Sequence, residues 1–279
     1  MNQAAALKII VEQAIEGELV FPTNVDTSLK IQQALDDPDC SLEAAARLVM
    51  TEPLLSARVV AVANSVAYSR FGGGVTTIRT AISILGFRTL RSLVAAVVMR
   101  QLSLSVQIKA VRQQLDQLWQ HSADTAAWAH LIARYISKND ADTALFAGIV
   151  HEVGHFYLLS RVAEFPSLLG ELGQGLPLEQ EVLLGRAVLQ RLMVPRPVQH
   201  AIESLWQAMH VLPPETLGDT LMLANSLAST RSPLDNSPVE QEQQTLATIE
   251  LAVSGVSFQT WCADVQTEHR QLQQALLQG

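Results

Sequence analysis

The sequence predicts an all-α protein, and two observations support this prediction. Apolar residues recur at helical spacing along almost the whole chain, and no stretch alternates apolar and polar residues between hairpin turns. The chain has 279 residues, of which 48% are hydrophobic, so it is long enough to bury a core without disulfides or a structural metal. Cys40 and Cys262 lack metal-ligand spacing and are expected to be reduced thiols. We therefore expect a helical protein that needs no cofactor.

Capping residues and helix breakers divide the first 110 residues into short helices. Ser41 is placed to cap the helix that follows it, since its hydroxyl can accept from a free backbone N–H of the first turn. Thr76 or Thr77 is expected to cap a later helix. Gly86 is expected to end that helix in the left-handed conformation, and Thr89 to open its successor.

The second half of the chain contains two further strong helical patterns. A long helix is predicted from about residue 112, and another in the stretch ADTALFAGIVHEVGHFYLL. His151 and His155 are four residues apart in that stretch and are expected on its apolar side. The stretch TRSPLDNSPVEQEQQ is predicted to be a linker, and the Gln-rich end of the chain a mostly exposed helix.

Residues His151 to His155 match the H-E-x-x-H pattern of zinc peptidases. In that pattern two histidines one turn apart bind zinc, and the intervening glutamate activates water. The pattern needs a third ligand, and Glu171 and Glu179 both lie in or beside a Gly/Pro loop rather than in a ligand motif. The alternative is that the histidines are satisfied core residues.

Several longer stretches of the sequence form a more specific pattern than these five residues. It begins with FPTNVDTSLKIQQALDDPDCSLEAAARLVMTEPLLSARVVAVANSVAYSR and continues, after a Gly-rich turn, with VTTIRTAISILGFRTLRSLV. The stretches LWQHSADTAAWAHLIAR and LFAGIVHEVGHFYLL follow. Over about residues 15 to 230 the sequence closely resembles the HDOD family, the HD-related output domain, whose second part is related to HD phosphohydrolases.

The resemblance implies a two-lobed helical architecture. An N-terminal helical lobe at 1–111 would pack on a degenerate HD-like helical lobe at 112–230. A linker and a C-terminal helix would follow at 231–279.

The resemblance also implies where the metal ligands of the HD superfamily fall. The first histidine corresponds to His121, the His-Asp pair to His151 and Glu152, and the final aspartate to Asn225. The pair therefore reads His-Glu, and the last ligand is a neutral amide, which is a weaker donor for a divalent cation. We expect these four residues to be the remains of a metal site, with no catalytic residue and no bound metal. Adventitious or functional metal binding is the alternative.

The formal net charge of −8 argues against general nucleic-acid binding, but the charge is unevenly distributed. Residues 53–115 carry eight basic side chains and no acidic one. Within them Arg88 and Arg91 are the best candidates for a shared surface that binds an acidic partner or a small anionic ligand. The alternative is that the basic helices pair with acidic parts of the same chain.

These observations predict a non-catalytic bacterial signalling module that acts through contacts with a partner protein. Its two rivals are a residual HD-type metal-dependent phosphohydrolase that uses His121, His151 and Glu152, and an H-E-x-x-H zinc peptidase. The N-terminus has no signal-peptide pattern, and the longest apolar runs are far shorter than the roughly 20 residues that a bilayer requires. We therefore expect a cytoplasmic protein without a membrane anchor. The sequence does not determine the oligomeric state.

Overall fold

The computed structural model describes residues 2–21, 23–68, 74–171, 177–207, 211–234 and 258–278. These residues form helices and no strand, which confirms the all-α prediction. Most of the predicted linker and the Gly-rich turn before Gly74 lie outside the described residues. The helices are α1 (Gln3–Ile15), α2 (Thr23–Leu35), α3 (Leu42–Met50), α4 (Pro53–Ala63), α5 (Ile78–Leu104), α6 (Lys109–Ile132), α7 (Ala141–Val150), α8 (Val153–Ser160), α9 (Leu178–Arg191), α10 (Arg196–Trp206), α11 (Leu217–Leu227) and α12 (Phe258–Leu277).

Two predicted caps are formed by the residues expected. The Ser41 hydroxyl accepts from the backbone N–H of Ala44 at the start of α3, at 3.2 Å. Of the two candidate threonines before α5, Thr77 is the cap, and its hydroxyl accepts from Thr80 N at 3.2 Å. Both caps satisfy a first-turn donor that has no partner within its own helix.

Gly86 interrupts α5 as predicted, but Thr89 does not open a new helix. Gly86 has φ 74° and ψ 169°, which is a conformation that residues with a Cβ rarely adopt. The helical path resumes directly after Gly86. The Thr89 hydroxyl instead donates to the carbonyl of Leu85 at 2.8 Å, so Thr89 spans the kink from within the second segment.

The long helices α5 and α6 form the centre of the molecule. Helix α5 packs against α2, α4 and α7, and α6 packs against α7, α11 and α12. Buried apolar residues of both halves of the chain belong to one continuous core. Helix α5 is long and apolar enough to cross a bilayer, but 67% of its most apolar window is buried inside the fold, as in the core helix of a globular protein.

Two glycines set the directions of α7 and α8. A Cβ at Gly148 would lie 2.4 Å from the Cα of Ala126, so α7 approaches α6 at backbone distance. A Cβ at Gly154 would lie 3.2 Å from the Cα of Gly185, so α8 approaches α9 closely. The chain turns at residues 151–152 between these two contacts. The predicted continuous helix from residue 141 to about 159 is therefore two helices.

The C-terminal helix α12 is not mostly exposed, so that prediction was wrong. One face of the helix packs against α6 and α4. The apolar residues on this face follow helical spacing in the sequence, and the Gln-rich composition between them obscured the pattern. The buried residues of α12 are Phe258, Trp261, Val265, His269, Leu272, Ala275 and Leu276.

Candidate functional site

Three side chains from separate elements converge between the helices of the HD-like half. His121 lies on α6, His151 directly follows α7, and Glu152 directly precedes α8. The Nε2 atoms of the two histidines are 3.1 Å apart, and Glu152 Oε1 lies 3.7 Å from His121 Nε2 and 3.8 Å from His151 Nε2. The fold thus brings together three of the four residues that the resemblance placed in an HD-type site, and their ligand atoms lie within 4.8 Å of one another.

Backbone carbonyls orient both imidazole rings. His121 Nδ1 donates to the carbonyl of Thr230 at 2.8 Å, and His151 Nδ1 donates to the carbonyl of Gly148 at 2.8 Å. Because a carbonyl only accepts, each Nδ1 carries a hydrogen, so in a neutral ring the Nε2 presents a lone pair to the facing Nε2. Two facing lone pairs at this distance require a proton or a cation between them. This orientation by outer hydrogen bonds is typical of histidines that bind a metal.

Glu152 supplies the negative charge of the cluster. Its Oε2 accepts a hydrogen bond from His155 Nδ1, and its side chain is 11% exposed. Burial by itself raises the pKa of the Glu152 carboxyl, but the neighbouring His155, and then His151 and His121, lower it well below the usual range. Burial lowers the pKa of His151 to about 4, against the attraction of Glu152. At neutral pH the cluster therefore contains an ionised carboxylate beside a neutral His151.

The zinc-peptidase face predicted from H-E-x-x-H is not formed. Since the chain turns at residues 151–152, His151 and His155 do not lie one above the other on a single helix. His155 Nδ1 is bound to Glu152, and its Nε2 lies 3.9 Å from Glu181 Oε1. Among the described residues, the group able to hold a metal ion consists of His121, His151 and Glu152 and does not include His155.

Asn225, the fourth residue assigned to the site, lies on α11. This helix packs against α6 and α7, which carry or precede the two histidines. Asn225 Oδ1 is buried and has no hydrogen-bond partner among the described residues. An orphaned buried oxygen on this helix fits the weak neutral ligand that the sequence comparison implied. Among the described residues, the donor atoms brought together for a divalent cation are those of His121, His151 and Glu152.

Arg88 and Arg91 are both engaged by carboxylates of the same chain. Arg88 Nη1 lies 2.9 Å from Asp140 Oδ2, and Arg91 Nε lies 2.9 Å from Asp36 Oδ1. The Arg91 guanidinium also donates to the carbonyl of Leu35 at 2.5 Å. These contacts match the alternative of pairing within the chain. An external anion would have to compete with both carboxylates.

The sequence analysis missed a second buried polar network, centred on Asp124 of α6. Asp124 Oδ2 accepts from the backbone N–H and the hydroxyl of Ser229, at 2.7 and 2.6 Å, and Oδ1 lies 2.7 Å from His269 Nε2 of α12. Burial raises the pKa of Asp124, but its contacts with His269 and Ser229 lower it below the usual value. The available signal was an acidic residue inside the long helix predicted from about residue 112, four positions before Trp128.

The described residues form an all-α fold whose helices pack around a cluster of two histidines and a glutamate. The HDOD domain family model matches residues 21–189. The chain belongs to the HDOD domain family.

Solved structures show the same fold. A protein from Shewanella amazonensis, provisionally described as a metal-dependent phosphohydrolase, has 22% identity and a TM-score of 0.73, with 98% of each chain covered. An HDOD domain protein from Geobacter sulfurreducens has 20% identity and a TM-score of 0.59, again with 98% of each chain covered. A Marinobacter aquaeolei protein, provisionally described as a signal transduction protein, has 17% identity and a TM-score of 0.57, with 98% of this chain and 66% of that chain covered. The search of curated proteins found no match.

Proposed function

We propose that this protein is a non-catalytic signalling module that acts through contacts with a partner protein. The observation that carries this proposal is the burial of the histidine cluster. The side chains of His121, His151 and Glu152 are only 4%, 1% and 11% exposed. A metal-dependent phosphohydrolase must place a phosphoester against its metal, and these side chains leave little surface for such a substrate. The neutral Asn225 at the position of the last aspartate supports the same conclusion.

A hydrolysis assay tests the non-catalytic part of this proposal. The purified protein is incubated with bis-p-nitrophenyl phosphate and with Zn²⁺, Mn²⁺ or Fe²⁺, in parallel with a His151→Ala variant. We expect equal background rates for the two proteins with each metal. A metal-dependent rate that disappears in a folded His151→Ala variant would show that the protein is an enzyme.

Metal binding is a second candidate, because the two facing Nε2 lone pairs favour it. His121, His151 and Glu152 would hold the ion, and Asn225 Oδ1 would be the weak fourth ligand. A cation bound there would supply Lewis-acid chemistry in a catalytic site, whereas in a closed site it would contribute stability. The backbone carbonyls of Thr230 and Gly148 would keep both rings aligned in either case.

Calorimetric titration of the metal-free protein with Zn²⁺ or Mn²⁺ tests this candidate without an activity assay. Binding at one ion per chain, lost in His151→Ala and retained in the matched variant His200→Ala, which changes an exposed histidine of α10, would establish the site. Absence of binding would leave the two histidines as a structural pair and remove the phosphohydrolase rival as well.

A further inference from the structure

The C-terminal helix α12 lies across both halves of the molecule. Its first half packs on aromatic residues of the HD-like half, with the Trp261 ring centroid 6.2 Å from that of Trp128 and 6.5 Å from that of Tyr135. Its far end lies against α4 of the N-terminal half. There Arg58 donates from Nε and Nη2 to the carbonyl of Gln278, at 3.3 and 3.1 Å. The helix therefore bridges the two lobes like a strap.

Charged and polar groups hold this strap in its groove. Arg134 Nη1 lies 2.9 Å from Glu268 Oε1, and the Tyr135 hydroxyl donates to Glu268 Oε2 at 3.1 Å. The Glu268 carboxylate thus fixes one turn of α12. His269, which follows Glu268, contacts the buried carboxylate of Asp124. Such contacts are specific but can be exchanged, since another helix with a carboxylate at the same place would satisfy the same groups.

The groove ends at a buried cation, which the described part of the strap meets with a backbone carbonyl. Arg58 is fully buried, and its guanidinium lies 5.2 Å from the ring centroid of Trp119. Among the described residues, its hydrogen-bond acceptor is the carbonyl of Gln278, and Nη1 has no partner. Burial, with the nearby Arg100, lowers the pKa of Arg58 to about 10. A carboxylate would stabilise this buried cation more than a backbone carbonyl at a helix end does.

Contacts of the strap also extend to the histidine cluster. His269 of α12 meets Asp124, and Asp124 binds Ser229. The next residue, Thr230, accepts from His121 Nδ1 at 2.8 Å. These contacts connect α12 to the Thr230 carbonyl that orients the His121 ring.

We propose that α12 is a releasable strap that occupies the docking groove of a partner's amphipathic helix. The partner helix would carry two aromatic residues at the spacing of Phe258 and Trp261, an acidic residue seven positions after the second one, to meet Arg134, and a carboxylate at its end for Arg58. This inference rests on the proposed function, because it names the surface through which a protein-contact module acts. It also makes the strap an inhibitor of that contact within the same chain.

The thiol of Cys262 on α12 provides a native probe of release. It is partly buried, and burial raises its pKa to about 11. In a full-length Cys40→Ser background, the rate of Cys262 modification by a maleimide is compared between Glu268→Gln and Asp264→Asn. Glu268→Gln removes the charge that faces Arg134, whereas Asp264→Asn makes the same chemical change at an exposed position of the same helix. We expect modification about tenfold faster in Glu268→Gln and within about twofold of the parent in Asp264→Asn.

The second measurement tests the groove itself. A fluorescent peptide with the sequence of residues 258–278 is titrated into the same proteins. We expect it to bind the Glu268→Gln protein at least tenfold more tightly than the parent protein. Circular dichroism confirms that each variant is folded, and Tyr135→Phe, which removes one contact of Glu268, replaces Glu268→Gln if that protein unfolds.

Equal modification rates in the two variants would overturn the strap, and faster modification without peptide binding would overturn the docking groove. Neither measurement depends on hydrolysis. A phosphohydrolase result would therefore refute the proposed function while leaving the release of α12 measurable, and a fixed strap would leave the non-catalytic assignment in place.

Discussion

Burial lowers the pKa of two histidines of this protein to the same extent, although the sequence marked only one of them. His151 and His130 are both buried, and for both the pKa falls to about 4, mainly because burial disfavours the charged ring. The sequence marked His151 through its motif and its family resemblance. It gave no sign of His130, whose Nδ1 donates to the carbonyl of Ala141 at 3.2 Å. The environment of each ring is a product of packing, which residue identity alone does not specify.

His130 predicts a defined loss of stability in acid. Its pKa is about 4 in the folded state and 6.5 in the unfolded chain, so as pH falls below 6.5 the unfolded state takes up a proton first. The contribution of the neutral His130 ring to stability is fully present above pH 6.5. By pH 4 about 3 kcal/mol of unfolding free energy is lost. Urea unfolding gives the free energy of unfolding of wild type and of His130→Gln. The advantage of wild type over the variant should shrink from pH 7 to pH 4. A difference that is constant with pH would contradict the prediction.

At the scale of the helices, close approach between backbones decides where a helix is interrupted, which the periodicity of apolar residues does not determine. The pattern from residue 141 to 159 fits one helix, and local propensity does not forbid it. The break at residues 151–152 follows from two separate packing contacts, one at Gly148 and one at Gly154. Without this break His151 would not face His121 as it does. Interruptions of this kind depend on neighbours that are distant in sequence.

Gly148→Ala should destabilise the fold. The added Cβ would lie 2.4 Å from the Cα of Ala126, so α7 must move away from α6. We expect the unfolding free energy to fall by about 1–3 kcal/mol, despite the higher helix propensity of alanine. Gly154→Ala is the matched control, because its Cβ would have 3.2 Å to Gly185 and should cost less. Urea titration measures both, and a Gly148→Ala protein as stable as wild type would refute the close-approach argument.

At the scale of the whole molecule, polar contacts join the N-terminal helices to α7 beside one continuous core. Arg88 of α5 pairs with Asp140 at the start of α7, with side chains 71% and 47% exposed. The Tyr68 hydroxyl donates to Asp142 Oδ1 at 2.6 Å in a partly buried position. Burial raises the pKa of Tyr68 well above its ordinary value, with Asp142 adding to the effect. The buried contact should therefore contribute more to the free energy of unfolding than the exposed ion pair.

Double-mutant cycles should separate these two contacts. For Arg88→Ala with Asp140→Asn we expect a coupling energy below about 1 kcal/mol that falls further in high salt. For Tyr68→Phe with Asp142→Asn we expect about 1–3 kcal/mol, because the acceptor is charged and partly buried. Thermal or urea unfolding gives both values. A stronger exposed pair would contradict this order and would make Arg88 a poor candidate for binding an external anion.

The sequence by itself determined the helical class, several caps, the HDOD resemblance and the residues His121, His151 and Glu152. These features are local or follow from a family pattern, and helical periodicity and capping act within a few residues. Only the tertiary structure decided that the two Nε2 atoms face each other, that Arg88 and Arg91 pair within the chain, and that α12 packs against both α6 and α4. Those facts depend on groups 30 to 220 residues apart in sequence, whose meeting is set by packing of the whole core.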